Sequence, residues 1–428
     1  HEQARAAGGA EPMEMIVLGA GMVGTGTALA LQARGHEVTL IDRAAPGQET
    51  SFGNAGLIQS EAAEPYAMPR HPRALLDIAL GRSNDVHYAL RHLPGQAGAL
   101  WGYFRNSAPK RHARISALYH QLTRRATRDH APLVEAAGAQ ALIREIGYHI
   151  GFRDPRALAL AARDAARVTQ DYGLDHAVYD GEDMARREPL SRRLAGAIHW
   201  PQTWVCSDPG ALVAAYATAF QARGGQVLRG NAETLTRGQN GWTVRTEAGT
   251  VSAPHVVLAL GPWTPSLLRG FGWRVAMIGK RGYHCHYPDA PVLQRPLLDT
   301  GCGAMLVPMR GGLRLTTGAG LTPQAEHDPR QLRRAEHSVG ELMPLGARGP
   351  AGVWAGLRPC LPDMFPATGP VPGHAGLWVN FGHGHHGFTL GPTTGVVLAA
   401  QIDGDTPPVE APVVAALALD RGGIARRR

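Results

Sequence analysis

The chain has four cysteines in 428 residues, Cys206, Cys285, Cys302 and Cys360, and no two of them stand in a C-x-x-C spacing. A disulfide scaffold needs dense pairs and a structural zinc site needs closely spaced ligands, so neither frames this fold, and reduced thiols are expected. Lysine is scarcer still: Lys110 and Lys280 are the only two, and the remaining positive charge is arginine scattered among acids. A formal charge of +8 and a pI of about 9.6 therefore do not mark a nucleic-acid protein. Arg124, Arg125 and Arg128 read as the solvated face of a helix, and the terminal run Arg426, Arg427 and Arg428 allows weak contact with anionic lipid without requiring it. With 18% charged and 44% hydrophobic residues and no internal repeat, the composition is that of a folded enzyme, long enough for two or three domains.

Long hydrophobic runs are also few. The uncharged stretch Met15 to Ala33 has the interior "LGAGMVGTG", which reads as strand, glycine turn and helix rather than as a membrane span. Before it, "HEQARAAGGAEP" reads as a tag remnant or frayed leader and is set apart from the fold.

"MIVLGAGMVGTGTALALQARGHEVTLIDR" supplies the order strand, turn, helix, strand that brings a pyrophosphate onto the positive end of a helix. Gly19 permits the tight turn, Gly21 leaves room for the pyrophosphate, and Gly24 permits close packing of helix on strand. Asp42 follows Gly24 by eighteen residues, at the end of the second strand, where a carboxylate accepts hydrogen bonds from an adenosine ribose. Arg43 keeps an NADP reading open, because an arginine there can meet a 2′-phosphate. The motif alone leaves flavin and nicotinamide undecided. In "TSFGNAG", Thr50 and Ser51 offer hydroxyls, while Gly53, Asn54 and Gly56 make a backbone able to curl around a cofactor.

Farther on, helices are expected between Pro65 and His130, including one from His112 to about Glu135, then a strand at Gly147 to Phe152 and a helix at Leu158 to Tyr172. Ser207 or Asp208 caps the next helix, with Pro209 in its first turn, and Val227 and Leu228 return to a parallel sheet. Trp242 to Glu247 and Val251 read as a hairpin, followed by the apolar "HVVLALGPW" with Gly261 at its end. From Trp273 to Leu315 short β segments dominate, which suggests a sheet-containing substrate domain inserted between pieces of a cofactor domain.

Together with the fingerprint, the blocks "TSFGNAG", "VVLALGPW", "GLRPCLPDMFPATG" and "NFGHGHHGFTLGPTTG" resemble, in this order, the FAD-dependent D-amino-acid oxidase and dehydrogenase superfamily, and most of all bacterial D-amino-acid dehydrogenases. The resemblance implies an α/β fold with an α+β substrate domain, in which a Rossmann-like FAD-binding domain is interrupted by a β-sheet-containing substrate domain. The FAD-binding parts are then residues 14–140, 206–270 and 350–412, the substrate parts 141–205 and 271–349, with 1–13 a leader and 413–428 a basic tail. It implies noncovalent FAD, with the pyrophosphate near Gly19, Gly21, Met22, Val23 and Gly24 and the ribose near Asp42 and Arg43. Thr50, Ser51, Asn54, Ala55, Gly56 and Leu57 would follow the cofactor toward the isoalloxazine. Val227 would contact the adenine side, Gly261 and Gly356 the later flavin-binding blocks, and Gly382, Gly384, His385, Gly387, Phe388 and Thr389 the flavin edge.

Arg358 occupies the position that the resemblance assigns to the substrate carboxylate, and a planar guanidinium suits a bidentate contact with it. His383, His385 and His386 invite a metal, but no cysteine and no H-E-x-x-H pattern accompanies them, and no metal is expected. His385 or His386 can instead orient substrate or tune its amine, with packing as the alternative for each. Tyr283 and Tyr287 are candidate substrate contacts or core residues, and Lys280 reads equally as a buried cation or an exposed strand start. The implied reaction is oxidation of a D-amino acid to an imino acid, with hydride passing from Cα to flavin N5 and water giving a 2-oxo acid and ammonia. D-proline or D-hydroxyproline oxidation, oxidation of N-methyl amino acids such as sarcosine, and flavin binding without turnover stay open beside it. A quinone or respiratory-chain acceptor is the expected electron sink, and a cytoplasmic protein, with or without peripheral contact at the inner membrane, is the expected setting. The oligomeric state is not legible.

Overall fold

The computed structural model describes residues 11–79, 86–88, 93–239, 241–321, 325–327 and 329–427. Residues 1–10 of the expected leader lie outside them. The strand Glu14–Leu18 is apolar from Met15 onward because both of its faces are covered. Met15 and Val17 pack with Leu29, Leu31, Tyr216 and Phe220, whereas Ile16 and Leu18 pack with Trp242, Val256 and Val379. A continuous rather than alternating apolar run is what a parallel strand between two layers requires.

Five parallel strands run in the order Gln226–Gly238, Glu37–Asp42, Glu14–Leu18, His255–Leu258 and Leu377–Phe381. Antiparallel strands close both edges, Gly241–Thr246 and Gly249–Ala253 on one side and Ala367–Pro370 on the other. Val227 stands opposite Leu40, the parallel return expected of it. The helix Met22–Ala33 packs on the last long helix, Gly387–Ile402, where Gly391 touches Met22 and Gly395 touches Gly26.

The second large sheet holds Ile278–Tyr287, Gly312–Thr316, Ala304–Met309, Leu297–Asp299, Tyr148–Phe152, Gly196–Trp200 and Ala177–Asp180 in that order, extended on the near side by Ala319–Leu321 and Val86–Tyr88. Trp354–Cys360, grouped by sequence with the last cofactor segment, pairs residue by residue with Ile278–His284 and so lies in this sheet. A mixed α/β fold results, with a Rossmann-like region interrupted by a β-sheet domain.

Two expectations need correction. The helix from His112 to Glu135 is two helices, Pro109–Thr123 and Ala126–Ala136. The first sends Tyr119 and Leu122 into a core with Phe365 and Val397, the second sends Ala126 and Val134 into the core around Met15, and the break at Arg124 and Arg125 reconciles the two directions. The C-terminal segment is no free basic tail: Val413, Leu417, Leu419 and Ile424 are buried, and Ala425–Arg427 pairs with Trp273–Val275. Arg428 lies outside the described residues. Among the described residues no helix is long and apolar enough to cross a membrane.

Candidate functional site

The glycine turn after the first strand is fixed by contact. Gly19 has φ +105°, and a β-carbon there would fall 2.4 Å from the Ala259 carbonyl oxygen; at Gly24 it would fall 1.7 Å from the Gly19 carbonyl oxygen. Glycine alone fits both. Asp42 braces this turn, Oδ2 accepting from the Ala20 N–H at 2.6 Å and Oδ1 from the Ala44 N–H at 2.9 Å. Ser51 Oγ accepts from the Met22 N–H at 3.0 Å. Arg43 donates to Glu49 at 2.8 Å and lies 4.4 Å over the Trp263 ring. A 2′-phosphate beside Arg43 would therefore meet the Glu49 charge, which counts against the NADP reading.

A cavity of about 1270 Å³ runs from this turn into the second sheet. Of the cofactor positions named from sequence, Gly19, Gly21, Met22, Val23, Asp42, Arg43, Thr50, Ser51, Asn54, Ala55, Leu57, Gly261, Gly356, Gly382, Gly384, His385, Gly387 and Phe388 line it. Gly24, Gly56, Val227 and Thr389 do not. Gly24 packs behind the turn, Gly56 donates its N–H to Asn54 Oδ1 at 2.8 Å, and Val227 joins the core beside Leu40, so that from this strand Gly230 to Glu233 line the cavity instead. Thr389 donates to the Leu57 carbonyl at 3.2 Å, which ties the last helix to the strand Leu57–Ile58.

At the other end Arg358 projects into the cavity, its guanidinium beside Gly282 and one N–H directed to the Gly318 carbonyl at 3.4 Å. Burial pulls its pKa below the usual arginine value, yet a guanidinium stays charged. His385 lines the same space, with the Tyr66 ring 4.9 Å away. Burial first, then the Arg358 and Lys280 cations, hold its imidazole well below the ordinary histidine range, so it is neutral at pH 7.

The other aromatic candidates divide between the cavity border and the core behind it. Tyr283 borders the cavity but alternates with Gly282 and His284, which share the face of Arg358, and its hydroxyl accepts from the Glu326 N–H at 3.2 Å. Tyr287 is buried in a separate core and donates to Glu336. His386 lies behind the cavity wall, against Tyr119. His383 also lines the cavity and is held to Thr394 Oγ1 at 2.8 Å.

Several lining residues escaped the sequence reading, among them Tyr66, Tyr103, Trp354, Gln59, Glu49 and Trp263, while Lys280 takes the buried of the two places read for it. Trp354 had a visible signal: it stands two residues before Gly356, on the same strand face. Its ring covers Gly53 and Gly356 and stacks on His284 with centroids 4.9 Å apart.

The residues present fit a dinucleotide. Gly21 caps the first helix without a side-chain hydrogen bond, which leaves a positive helix end facing the cavity. The volume exceeds the roughly 300–1,000 Å³ of an ordinary ligand pocket, enough for a long cofactor and a small substrate together.

The family model described as FAD dependent oxidoreductase matches residues 14–401. A D-amino acid dehydrogenase from Cereibacter sphaeroides is 31% identical, with 93% of each chain covered, and one from Chromohalobacter salexigens is 27% identical, covering 93% of this chain and 97% of that one. Among solved structures, glycine oxidase from Geobacillus kaustophilus superposes with a TM-score of 0.69 at 23% identity, over 96% of this chain and 99% of that one. L-proline dehydrogenase from P. horikoshii gives 0.69 at 18% identity, over 94% and 96%. Those two likenesses concern the fold.

Proposed function

Because the chain belongs to the FAD dependent oxidoreductase family and is related to bacterial D-amino acid dehydrogenases, we propose that it oxidises a D-amino acid whose carboxylate is held by Arg358. FAD is the cofactor, and when bound it supplies the two-electron acceptor for the hydride that leaves Cα. One observation carries the reading: the Arg358 guanidinium stands in the cavity with a single hydrogen bond, to Gly318, and no carboxylate partner among the described residues.

A carboxylate placed there gains charge-assisted, bidentate contacts in a space with little water, which fixes the substrate's Cα relative to the cofactor end. His385, kept neutral by burial and by two nearby cations, can accept a hydrogen bond from the substrate's amino group. Tyr66 and Trp354 wall the space. No side chain is required as an obligate base, since the amine proton can leave to solvent. Hydrolysis of the imino acid then yields a 2-oxo acid and ammonia. Handedness rests on the dehydrogenase relatives, because the names of the structural neighbours include glycine and L-proline enzymes and the fold carries no mirror sense. A quinone or respiratory-chain acceptor, reached from the cytoplasm at the inner membrane, belongs to the same reading.

Anaerobic bleaching of the flavin by D- and L-amino acids, prolines, hydroxyprolines, glycine and sarcosine tests it. Reduction by at least one D-amino acid is expected, with a 2-oxo acid as product. Reduction confined to L substrates or to sarcosine would overturn the proposal, and a cyclic imine as sole product would move the assignment to D-proline or D-hydroxyproline.

A further inference from the structure

The positive charge of the chain is concentrated in one segment. Residues 66–128 hold ten arginines and Lys110 against two acids, Asp77 and Asp85, a net +9 in a chain whose total is +8. The remaining sequence is therefore close to neutral. Part of the excess is gathered on one surface, where residues 65–70 run as a strap across two consecutive helices, Leu93–Asn106 and Pro109–Thr123. The Pro65 carbonyl lies 2.7 Å from His112 Nε2, the Tyr66 carbonyl accepts from the Tyr103 hydroxyl at 2.5 Å, and the Met68 N–H donates to Ser107 Oγ at 2.8 Å. Arg70 ends the strap 3.9 Å over the Phe104 ring, which stacks on Trp101. Trp101 is 64% exposed, and Leu76, in the helix Pro72–Ala79 that follows the strap, is 55% exposed. On these same elements Arg70, Arg73, Arg105, Lys110, Arg111 and Arg114 are exposed. None of them makes an ion pair among the described residues, whereas Arg125 pairs with Asp129 and Arg167 with Glu64. The strap and the first helix also reach inward, since Met68, Pro69, Leu100 and Tyr103 line the cavity.

We propose that this face seats the protein on the surface of an anionic bilayer, with the cations against the headgroups and Trp101 and Leu76 at the acyl boundary. Basic side chains without acidic partners are drawn to the negative potential of such a surface, and large apolar side chains among them gain an apolar layer to enter. A nucleic acid would satisfy the cations but would leave Trp101 and Leu76 in water. Attachment of this kind needs no spanning helix, and none is found among the described residues. Seated so, the protein holds the Tyr66 and Tyr103 side of its cavity beside the layer in which a lipid-soluble acceptor dissolves. That consequence rests on the reading of a quinone acceptor; the docking itself does not.

Flotation of the FAD-loaded full chain with lipid vesicles tests this without turnover. Phosphatidylcholine vesicles carrying about 30% phosphatidylglycerol are expected to bind at least tenfold more tightly than phosphatidylcholine alone. The difference should shrink in ~0.5 M salt, which screens the surface charge. Lys110→Glu combined with Arg111→Glu should weaken binding at least tenfold and Trp101→Ser at least threefold, with flavin content and thermal melting unchanged. If the charge reversal loses flavin, Lys110→Gln with Arg111→Gln replaces it. The same reversal at the exposed Arg426 and Arg427 should have little effect. Equal binding to neutral and anionic vesicles, no binding to either, or an affinity that the helix substitutions leave unchanged overturns the proposal. Binding of a duplex oligonucleotide in place of the vesicles would assign the face to nucleic acid instead. The anaerobic substrate screen decides the D-amino-acid reading separately, since vesicle binding needs no substrate.

Discussion

The Tyr119 hydroxyl stands 2.7 Å from His386 Nδ1, with both side chains buried. Tyr119 belongs to the helix Pro109–Thr123, and His386 ends the short turn that presents His385 to the cavity. Burial lowers the His386 pKa to about 4, so the ring is neutral and the contact is an ordinary hydrogen bond rather than an ion pair. It nonetheless anchors the turn, because His386 Nε2 has no hydrogen-bond partner among the described residues.

Replacing Tyr119 with Phe should keep the ring against Phe365 while leaving both nitrogens of His386 without a partner. An unsatisfied buried group costs about 1–3 kcal/mol. Thermal melting of the FAD-loaded variant should show a lower Tm, and substrate KM should rise as the turn carrying His385 loosens. An unaltered Tm would mean that the contact contributes nothing to the fold.

Arg358→Leu should leave FAD occupancy largely intact, because the glycine turn and Asp42 lie at the other end of the cavity. Losing a charge-assisted clamp costs about 2–5 kcal/mol in binding of a carboxylate substrate. Arg358→Lys keeps the charge without the fork and should fall between the two. Stopped-flow reduction with parental saturation and rate in Arg358→Leu would remove this residue from the substrate site.

The parallel core and its glycine turn were legible because their constraints are local: a strand covered on both faces must be continuously apolar, and the contacts at Gly19 and Gly24 admit no side chain. Arg358 was legible through its block. The aromatic candidates divide for a reason intrinsic to strands. A shift of one residue exchanges the two faces: Lys280, Gly282 and His284 share the face of Arg358, whereas of the tyrosines in "RGYHCHY" Tyr283 only borders the cavity and Tyr287 is buried in a separate core. Tyr66 and Tyr103 come from segments brought to the cavity by tertiary packing alone, which no period in the sequence encodes.

Gly24→Ala probes the turn itself. The added methyl would meet the Gly19 carbonyl oxygen at 1.7 Å, backbone against backbone, so no side-chain rotation relieves it. Purified variant should contain little FAD and melt at lower temperature, whereas Gly35→Ala, whose β-carbon meets nothing within 4 Å, should retain its flavin despite the strain of φ +91°. Parental flavin content in Gly24→Ala would show that the turn can open.

Glu61 gives the stability of the protein a pH dependence of definite sign. Its carboxyl is buried, accepts from Gln59 Nε2 at 3.1 Å, and has its other oxygen without a partner among the described residues. Burial, outweighing the opposing influence of nearby Thr203, the backbone and Gln59, raises its pKa from 4.5 to about 7. The folded state then holds a proton that the unfolded chain has released, so stability should fall as pH rises from about 4.5 to 7 and level off above, by a total on the order of 3 kcal/mol. Buried His130 and His386, both lowered to about 4, act in the opposite direction: their contribution is complete above the unfolded value of 6.5 and is lost as pH falls toward 4. Glu61→Gln mimics the protonated acid and leaves those histidines in place. Urea unfolding of parent and variant should therefore coincide near pH 5 and diverge toward pH 8 with the variant more stable; parallel curves would place the Glu61 pKa near its unfolded value.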